Sequence, residues 1–562
     1  MKRFFLLLLA LAVPAAAQTA FQNYVMTELP KRPVMLTSQN VQDGGFDLDP
    51  NDGGPPAVLA LAPRGTFFLR ATGPTLYVKG APDAGTWSTV AGSGGSGLPL
   101  MTGPVSLYLS PSGSDTTGDG TIGNPLQTFA GIRNKIRSTW REVGYLITVI
   151  PAAGNYPTGP LLTGLTFVPL DETQPVGVFV NGPWANATVA TGTATGTLTS
   201  VTAGTSAPAV PTVVADSTQS WTSNDLADKF LAVNGNYWPI VSNTGTTITL
   251  AGPVSVTTST YAIVEGSAVV TGSTAVFPPI PAAGAATATP KQASIVIHSN
   301  NMGRLPGTLG TPPAVIRIEG IKVAPSSAGA GYNSLFAVGS SIIVNRCFLG
   351  GTAASGNRIE FTVDSGRSQL TNSVVKTNAS SNGLAVSGVG AFNADGNVFT
   401  SYASGAIAMV VGGLAPGSNL IASANNCTIK SHTTAGINIA SQTVLTLSGT
   451  TITGAGQGVR YRLADNSLGN GFVNATGLAI NSSSGAALDF TGPILLQAGT
   501  VTGTGNTVGW SLGQGTKMKV GSASTLTGTT EISLDGTSYT LSTMRGNSPK
   551  LISSTYFTVM WE

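Results

Sequence analysis

The chain has 562 residues, of which 27 are Lys or Arg and 24 are Asp or Glu, so its formal net charge is +3. Charged residues make up only 9% of the chain, against about 25% in an average soluble protein, and no basic cluster follows residue 3. This composition gives nucleic-acid binding little support. Because no apolar stretch reaches the ~20 residues of a spanning helix, we expect no membrane span. The 2 Cys and 2 His leave no zinc site to propose, and we expect no metal and no cofactor.

The chain begins with a segment typical of secretion. Lys2 and Arg3 precede the apolar stretch from Phe4 to Val13, and alanines at positions 15–17 follow it. This pattern predicts a signal peptide over residues 1–17 and a secreted or virion-associated protein. An uncleaved apolar helix used in assembly is the alternative. Residues 18–56 are rich in Pro, Asp and Gly without sustained periodicity, so an extended arm is expected there.

Residues 57–97 predict a small β module followed by a flexible linker. Residues 65–70 and 75–79 form two strand-like runs of a hairpin that Trp87 closes, and residues 91–97 are Gly and Ser with one Ala. The module resembles a small hairpin unit of phage tail fibres and related virion proteins.

Residues 104–186 predict the first part of a solenoid. A strand and a Gly/Asp-rich loop precede a helix within residues 126–140, which carries Phe129, Ile132 and Ile136 on one face. An open solenoid exposes an apolar end, and a capping helix covers it.

In this order the elements resemble the start of a pectate-lyase-like β-helix, a fold of pectinolytic enzymes and of phage tailspikes. The resemblance implies a right-handed parallel β-helix. Asp115 and Asp119 of the loop are candidate calcium ligands, but a turn without metal is favoured because no further oxygen ligands are identifiable.

Residues 187–271 interrupt this pattern with short strand-like runs, which predict a small inserted β domain. The segment is similar to a small β-barrel insert in β-helix proteins of phages and bacterial surfaces. Trp221 and Trp238 are candidates for stacking on sugar rings. The favoured alternative is that its aromatic residues form the core of the small barrel.

Residues 290–526 carry a ladder of Gly and Asn, each placed three positions before an apolar residue. These two residue types enter the left-handed backbone region most readily, so the ladder predicts one tight turn with positive φ per coil. Its members are Gly320, Asn345, Asn372, Gly396, Asn426, Gly449 and Gly477.

A second column consists of apolar residues in short alternating runs, which indicate strands with one buried face. Its members are Ile359, Leu384, Ile407, Ile437, Val459, Leu488 and Val508. Together the columns predict an all-β protein in which a parallel β-helix spans residues 104–526 and further strands occupy residues 527–562. Cys347 and Cys427 fall about three coils apart, about 14 Å at ~4.8 Å per coil, and are therefore expected to be free, buried thiols.

The outward positions between the core residues decide whether catalysis is expected. They are Glu360, Ala385, Ala408, Asn438, Arg460, Asp489 and Gly509. Glycosidases on such a face need two carboxylates about 5–9.5 Å apart. Glu360 and Asp489 are five coils apart, about 24 Å, and Glu360 and Asp364 are about 13 Å apart along one strand. Arg460 and Asp489 are explained by a surface ion pair.

No catalytic residue is therefore predicted, and the motifs of polygalacturonases and pectate lyases are not visible. Asp395 and Asp465 on loops, and a site between subunits, stay open. We expect a non-enzymatic fibre or surface protein for attachment or glycan recognition, with a polysaccharide depolymerase as the alternative.

The expected partner is a surface polysaccharide, bound by Asn438, Arg460 and Arg462 on the outer face. We also expect a homo-oligomer, a trimer being one such assembly, and subunit packing is the alternative use of this face.

Overall fold

The computed structural model gives the structure of the protein in the following segments. It describes residues 35–37, 67–70, 75–79, 87–89, 98–165, 167–168, 175–181, 185–206, 209–265, 268–270, 275–277, 291–299, 315–323, 332–339, 341–350, 358–363, 367–377, 382–401, 407–412, 420–440, 443–462, 471–513, 515–521, 524–534, 537–539, 551–553 and 558–561. The predicted signal peptide, Asp364 and Asp465 lie outside these residues, and so does the side chain of Arg462.

The chain divides into two units, Met1–Pro99 and Leu100–Glu562. In the first unit, the strands at residues 67–70 and 75–79 pair antiparallel and belong to a four-stranded sheet. One strand of this sheet falls within the predicted arm and pairs in parallel with the hairpin. The strands are, in sheet order, Met35–Thr37, Phe67–Arg70, Thr75–Lys79 and Trp87–Thr89.

In the second unit, 34 strands form one continuous hydrogen-bonded sheet that winds as a parallel β-helix, as predicted. Their registers define three stacks, each made of strands lying directly above one another. Stack A contains Leu161–Leu162, Lys291–Ser299, Tyr332–Gly339, Arg358–Val363, Asn382–Gly388, Ile407–Gly412, Ala435–Ile439, Gln457–Arg462, Ala486–Thr491 and the ends of Ile494–Leu512 and Thr525–Leu534.

Stack B follows stack A in each coil. It contains Val105–Leu109, Leu146–Pro151, Gly177–Asn181, Val315–Glu319, Ile342–Asn345, Arg367–Thr371, Gly390–Asn393, Leu420–Ser423, Thr443–Ser448, the starts of Gly471–Asn481 and Ile494–Leu512, Thr516–Val520 and Thr558–Trp561.

Stack C completes the coil. It contains Asn155–Tyr156, Ala268–Val270, Ile321–Val323, Phe348–Leu349, Val374–Thr377, Val398–Ser401, Thr428–Lys430, Thr451–Thr453, the end of Gly471–Asn481, the middle of Ile494–Leu512 and the start of Thr525–Leu534. Three short strands pair antiparallel at the margins, namely Ala275–Phe277, Thr537–Tyr539 and Leu551–Ser553.

The helix Phe129–Thr139 lies where the sequence predicts it, with Phe129, Ile132 and Ile136 buried in the main core. Thr128 caps its first turn, because the Thr128 Oγ1 accepts a hydrogen bond from the Gly131 backbone N–H at 3.0 Å. The Asp115 carboxylate accepts from the backbone N–H groups of residues 127 and 128 at 2.8 and 2.9 Å. Asp115 therefore orders the start of the helix.

The Gly and Asn ladder forms the turns between stacks B and C. Six of its seven members have φ between 49° and 71°, and the exception is Asn345. The left-handed residue of that coil is Arg346, with φ 51°. Because Asn345 pairs with Thr371, Arg346 lies opposite Asn372, so the prediction was one residue early.

Two members of the apolar column also require correction. Leu384 pairs with Met409 rather than with Ile407, and Leu488 pairs with Trp510 rather than with Val508. Both errors are shifts of two residues. A strand with period-two alternation buries the same face after such a shift, so its own sequence cannot set the register.

The inserted segment forms an eight-stranded sheet with a core of its own. Its strands are Ala185–Asn186, Thr195–Thr197, Ser200–Thr202, Val213–Ala215, Phe230–Val233, Asn236–Asn243, Thr247–Leu250 and Thr260–Glu265. A separate pair, Thr205–Ser206 with Ala209–Val210, belongs to the same segment. All these pairings are antiparallel, in contrast to the coils.

This inserted sheet packs on the outer face of stack C. Phe230 contacts Phe348 edge to face, with ring centroids 4.8 Å apart, and the same apolar cluster contains Val374 and Val398 of the next two coils. Asp228 forms ion pairs with Lys322 and Lys376. The Arg346 guanidinium lies 4.8 Å from the Trp238 ring centroid. The insert thus binds several coils at once.

Candidate functional site

The outer face of stack A differs from the predicted strip at two positions. Register places Glu360, Ala385, Val410, Asn438, Arg460, Asp489 and Ser511 in one outward column. Ala408, predicted to face outward, is fully buried in the core. Gly509 is also misplaced, because a Cβ there would lie 2.6 Å from the Glu531 carbonyl oxygen. Ala408 and its neighbour Met409 are both buried in the core, so strict alternation breaks at this point, and a register shift of two residues alone would have left Ala408 on the outer face.

Burial divides this column into covered and accessible parts. Glu360, Ala385 and Asp489 are buried although they face outward, so other parts of the chain cover them. Val410, Asn438 and Arg460 are only partly buried. They lie on three successive strands and span about 10 Å at ~4.8 Å per strand. The accessible part of the column is therefore short and lies at these three residues.

Around Arg460 the side chains form a hydrogen-bonded group, which we call the Arg460 cluster: Asn438, Gln457, Arg460 and Asp489. Arg460 Nε donates to Asn438 Oδ1 at 2.8 Å, and Arg460 Nη1 donates to Gln457 Oε1 at 3.4 Å. Gln457 Nε2 donates to Asp489 Oδ2 at 2.6 Å. Gln457 thus links two residues that the sequence analysis paired directly. Its role depends on neighbouring strands, so no local pattern indicates it.

The carboxylates considered for catalysis lie apart. Glu360 and Asp489 are five strands apart, as expected. Asp395 is in a turn between stacks B and C, where its Oδ1 accepts from the Asn425 backbone N–H at 2.8 Å. That hydrogen bond gives Asp395 a structural role in joining adjacent coils.

One further carboxylate, Glu531, was not considered in the sequence analysis and lies two strands beyond Asp489. Ser511 pairs with both Asp489 and Ser533, and Glu531 precedes Ser533 by two residues. Glu531 therefore lies in register with Gly509 and Ala487, and not in the outward column that contains Asp489. At ~4.8 Å per strand and ~3.3 Å per residue, the Cα atoms of Asp489 and Glu531 are about 12 Å apart.

The candidate aromatic residues have partners within the protein. Trp221 is buried in the core of the inserted sheet, and its Nε1 donates to the Thr193 carbonyl oxygen at 3.1 Å. Trp238 packs against the same core and contacts the Arg346 guanidinium. These positions agree with the favoured alternative, in which the aromatic residues build the inserted domain.

Two other groups with chemical potential are buried. Cys347 and Cys427 are free and buried, as predicted, and burial raises the pKa of each thiol to about 12. His432 is fully buried with its Nε2 3.2 Å from the Thr377 Oγ1, and burial lowers its pKa to about 4.

Neither a metal cluster nor a membrane span is evident in the described part of the chain. Within it, no group of three His, Cys, Asp or Glu residues is placed to bind a metal ion. No helix in the described segments is long and apolar enough to cross a bilayer. Asp119 accepts from the Thr121 backbone N–H at 2.9 Å, and this hydrogen bond lowers the pKa of its carboxyl group.

The sequence matches no protein-family model and no curated protein. Among solved structures, it is similar to a "Glycoside hydrolase" with 13% identity and a TM-score of 0.31, covering 75% of this chain and 96% of the other. A structure of XylC in complex with xylose shares 9% identity with a TM-score of 0.28, covering 75% and 69%. The tailspike protein gp49 from Pseudomonas phage LKA1 shares 10% identity with a TM-score of 0.29, covering 71% and 72%. Because all three TM-scores are below 0.5, the fold assignment rests on the strand registers and not on these similarities.

Proposed function

We propose that this protein is a non-enzymatic attachment protein that binds a surface polysaccharide along the outer face of stack A. The observation that carries the proposal is the accessible column of Val410, Asn438 and Arg460. An apolar side chain there adjoins two hydrogen-bond donors on successive strands, a combination that suits the C–H faces and oxygens of a sugar chain. Along the described column, no two successive strands carry carboxylates.

The proposed location is extracellular or on a virion. The apolar N-terminal segment after Lys2 and Arg3 supports export. The low charge content and the long, regular coils suit an exposed fibre, because stacked parallel strands leave few unpaired backbone groups.

Binding and cleavage are separated by one experiment. Host polysaccharide is incubated with the protein and profiled by size-exclusion chromatography, while binding is measured for the wild type and Arg460→Ala. We expect weaker binding by Arg460→Ala and an unchanged polymer profile. Arg367→Ala is the matched control, because Arg367 is exposed on stack B. A new low-mass product would refute the non-enzymatic proposal, and unchanged binding by Arg460→Ala would exclude this column as the glycan site.

The depolymerase alternative would use Asp489 and Glu531, which lie two strands apart. Their Cα separation of about 12 Å exceeds the ~5–9.5 Å between catalytic carboxyl groups of glycosidases. If a low-mass product forms, Asp489→Asn and Glu531→Gln each abolish it under this alternative. Product formation by both variants would exclude the pair.

The proposed assembly is a homo-oligomer that packs through stack B, with a trimer as one form. Ile421, Val444 and Leu495 face outward and are 56%, 38% and 43% exposed. Together with Phe472 they form an apolar stripe across four successive strands. Lys517 and Lys519 lie on the next strand of stack B, but over the strands of the stripe the adjacent outward column is uncharged. It consists of Asn393, Ser423, Thr446, Asn474 and Gln497.

Sedimentation velocity tests this assembly. Val444→Asp is expected to shift the protein toward the monomer, because a charge in an apolar contact is costly to desolvate. Val389→Asp serves as the control, since Val389 is 46% exposed but lies outside the stripe. An unchanged distribution for Val444→Asp, or equal dissociation of both variants, would refute this interface.

A further inference from the structure

The internal hydrogen bonds of the Arg460 cluster fix the orientation of its two amides. A guanidinium only donates, so the Asn438 and Gln457 oxygens must be the atoms that face Arg460. A carboxylate only accepts, so the Gln457 Nε2 must face Asp489. The acceptor atoms of both amides are therefore used within the cluster.

The atoms that remain are donors. The Arg460 Nη2 group and the Asn438 Nδ2 group have no hydrogen-bond partner among the residues that the structure describes. The two side chains lie on adjacent strands and are partly accessible. Neutral amides contact the guanidinium directly, and the Asp489 carboxylate opposite Arg460 on the adjacent strand is buried. The accessible atoms thus offer N–H groups on a cationic side chain, on the strands next to the apolar side chain of Val410.

From this arrangement we infer that the site binds a carboxylate of an acidic polysaccharide, such as that of a hexuronic acid unit. The inference rests on the proposed function and adds the substrate class. Because Asn438 occupies the Arg460 Nε proton and Gln457 occupies one Nη1 proton, the guanidinium keeps one Nη1 proton and both Nη2 protons for a ligand. Two N–H groups of a guanidinium match the two oxygens of a planar carboxylate.

Gln457 acts in this site as a positioning residue. Its Oε1 holds the guanidinium, while its Nε2 holds Asp489 on the other side. A long Arg side chain that is already ordered loses less conformational entropy on binding than a free one. Loss of Gln457 should therefore reduce the preference for acidic over neutral polymers more than it reduces binding of the neutral polymer.

The test uses the full chain and two forms of one polymer. Binding of alginate is compared with binding of the same alginate after reduction of its carboxyl groups to alcohols. The native polymer is expected to bind about tenfold more tightly or better, since hydrogen bonds between charged groups are strong. This preference should decrease as salt concentration rises. Dextran sulfate and dextran form a second pair, which distinguishes a sulfate ester from a carboxylate.

Two Gln457 variants probe the positioning role. Gln457→Glu places a negative charge against Arg460 and is expected to remove the preference. Gln497→Glu makes the same change on exposed stack B and is expected to retain it. Gln457→Leu removes both hydrogen bonds without adding charge and is expected to lower the acidic-to-neutral ratio severalfold. Melting curves verify that each variant is folded, and the ratio is read only from folded protein.

The outcomes separate this inference from the proposed function. Equal binding of native and reduced alginate would overturn the inference and leave the proposed function intact. Binding of dextran sulfate alone would also overturn it, by assigning the site to sulfate esters. An unchanged ratio in Gln457→Leu would refute the positioning role. No binding of any polymer, including host polysaccharide, would instead refute the proposed function.

Discussion

Replacing Gly449 by Ala should weaken the attachment of the inserted sheet to the β-helix. Gly449 has φ 66°, and a Cβ at this position would overlap the carbonyl oxygen of Ser206 in the insert. It would also lie 2.6 Å from the Asn426 Oδ1. Two residues further on, Thr451 Oγ1 donates to the Ala209 carbonyl oxygen at 2.8 Å, so displacement of the insert breaks this bond as well.

The expected cost has three parts. Positive φ costs an Ala roughly 1 kcal/mol relative to Gly. Overlap in a packed contact costs about 1–3 kcal/mol, and loss of the Thr451 hydrogen bond costs about 1 kcal/mol. Displacement of the insert relieves the overlap but breaks the Thr451 hydrogen bond. The overlap cost and the hydrogen-bond cost therefore do not add fully. We expect Gly449→Ala to lower the free energy of unfolding by about 2–4 kcal/mol.

Two glycines provide matched controls. Gly454 has the same φ of 66°, and a Cβ there would have its nearest neighbour at 3.9 Å, so Gly454→Ala reports the backbone cost alone. Gly396 has φ 71°, and a Cβ there would lie 2.7 Å from the Asn372 Oδ1. Gly396→Ala therefore measures the cost of a clash with an asparagine side chain, without the clash with Ser206.

The assay is urea unfolding combined with limited proteolysis of the insert. Gly449→Ala should be destabilised more than Gly396→Ala, and only Gly449→Ala should show faster cleavage within residues 185–265. If the stabilities of Gly449→Ala and Gly396→Ala agree within about 0.5 kcal/mol and their cleavage rates are equal, the Ser206 contact does not hold the insert.

Four further predictions follow from the described residues and the N-terminal pattern. Asn372→Val should cost about 1–3 kcal/mol, because Asn372 has φ 49° and a β-branched residue resists that conformation; wild-type thermal stability would contradict it. Sequencing of the mature N-terminus should find Gln18, whereas an intact Met1 in purified assemblies would favour assembly without export. Burial lowers the pKa of His432 to about 4 from an ordinary value of about 6.5, so the unfolded state binds the proton more readily. Stability should therefore fall as pH drops from about 6.5 to 4, by about 3 kcal/mol in total, and pH-dependent unfolding of His432→Gln should lack this component. Cys347 and Cys427 should react with iodoacetamide only after denaturation, and fast labelling of native protein would show that these coils open.

Much of the β-helix is determined by local chemistry that the sequence displays directly. Gly and Asn tolerate positive φ on their own, so Gly320, Asn372 and Gly477 indicate their turns without reference to any neighbour. Period-two alternation likewise indicates strands, and the buried face of the helix Phe129–Thr139 follows from its spacing. These features depend on residues close together in the chain.

A second ladder of turns could not be predicted from residue type alone. Ser431, Gly454, Ser482 and Gly505 have φ of 63°, 66°, 57° and 71° after successive strands of stack C. Half of this ladder is Ser, which has no particular preference for the left-handed region. These turns form because the backbone N–H groups of Ser431, Gly454 and Ser482 bond to the next coil.

The tertiary structure alone decided the register and the composition of the candidate site. Arg346 adopts φ 51° although Arg disfavours it, because its N–H bonds to Thr371 of the next coil and its guanidinium contacts Trp238. Pairing with the neighbouring strand places Val410 opposite Ala385, whereas Ala408 is buried although alternation alone would put it on the same face as Val410. Gln457 likewise joins Arg460 to Asp489 only when adjacent coils are stacked. Local residue preferences determined the kind of strand and turn, whereas contacts between distant segments determined which side chains meet.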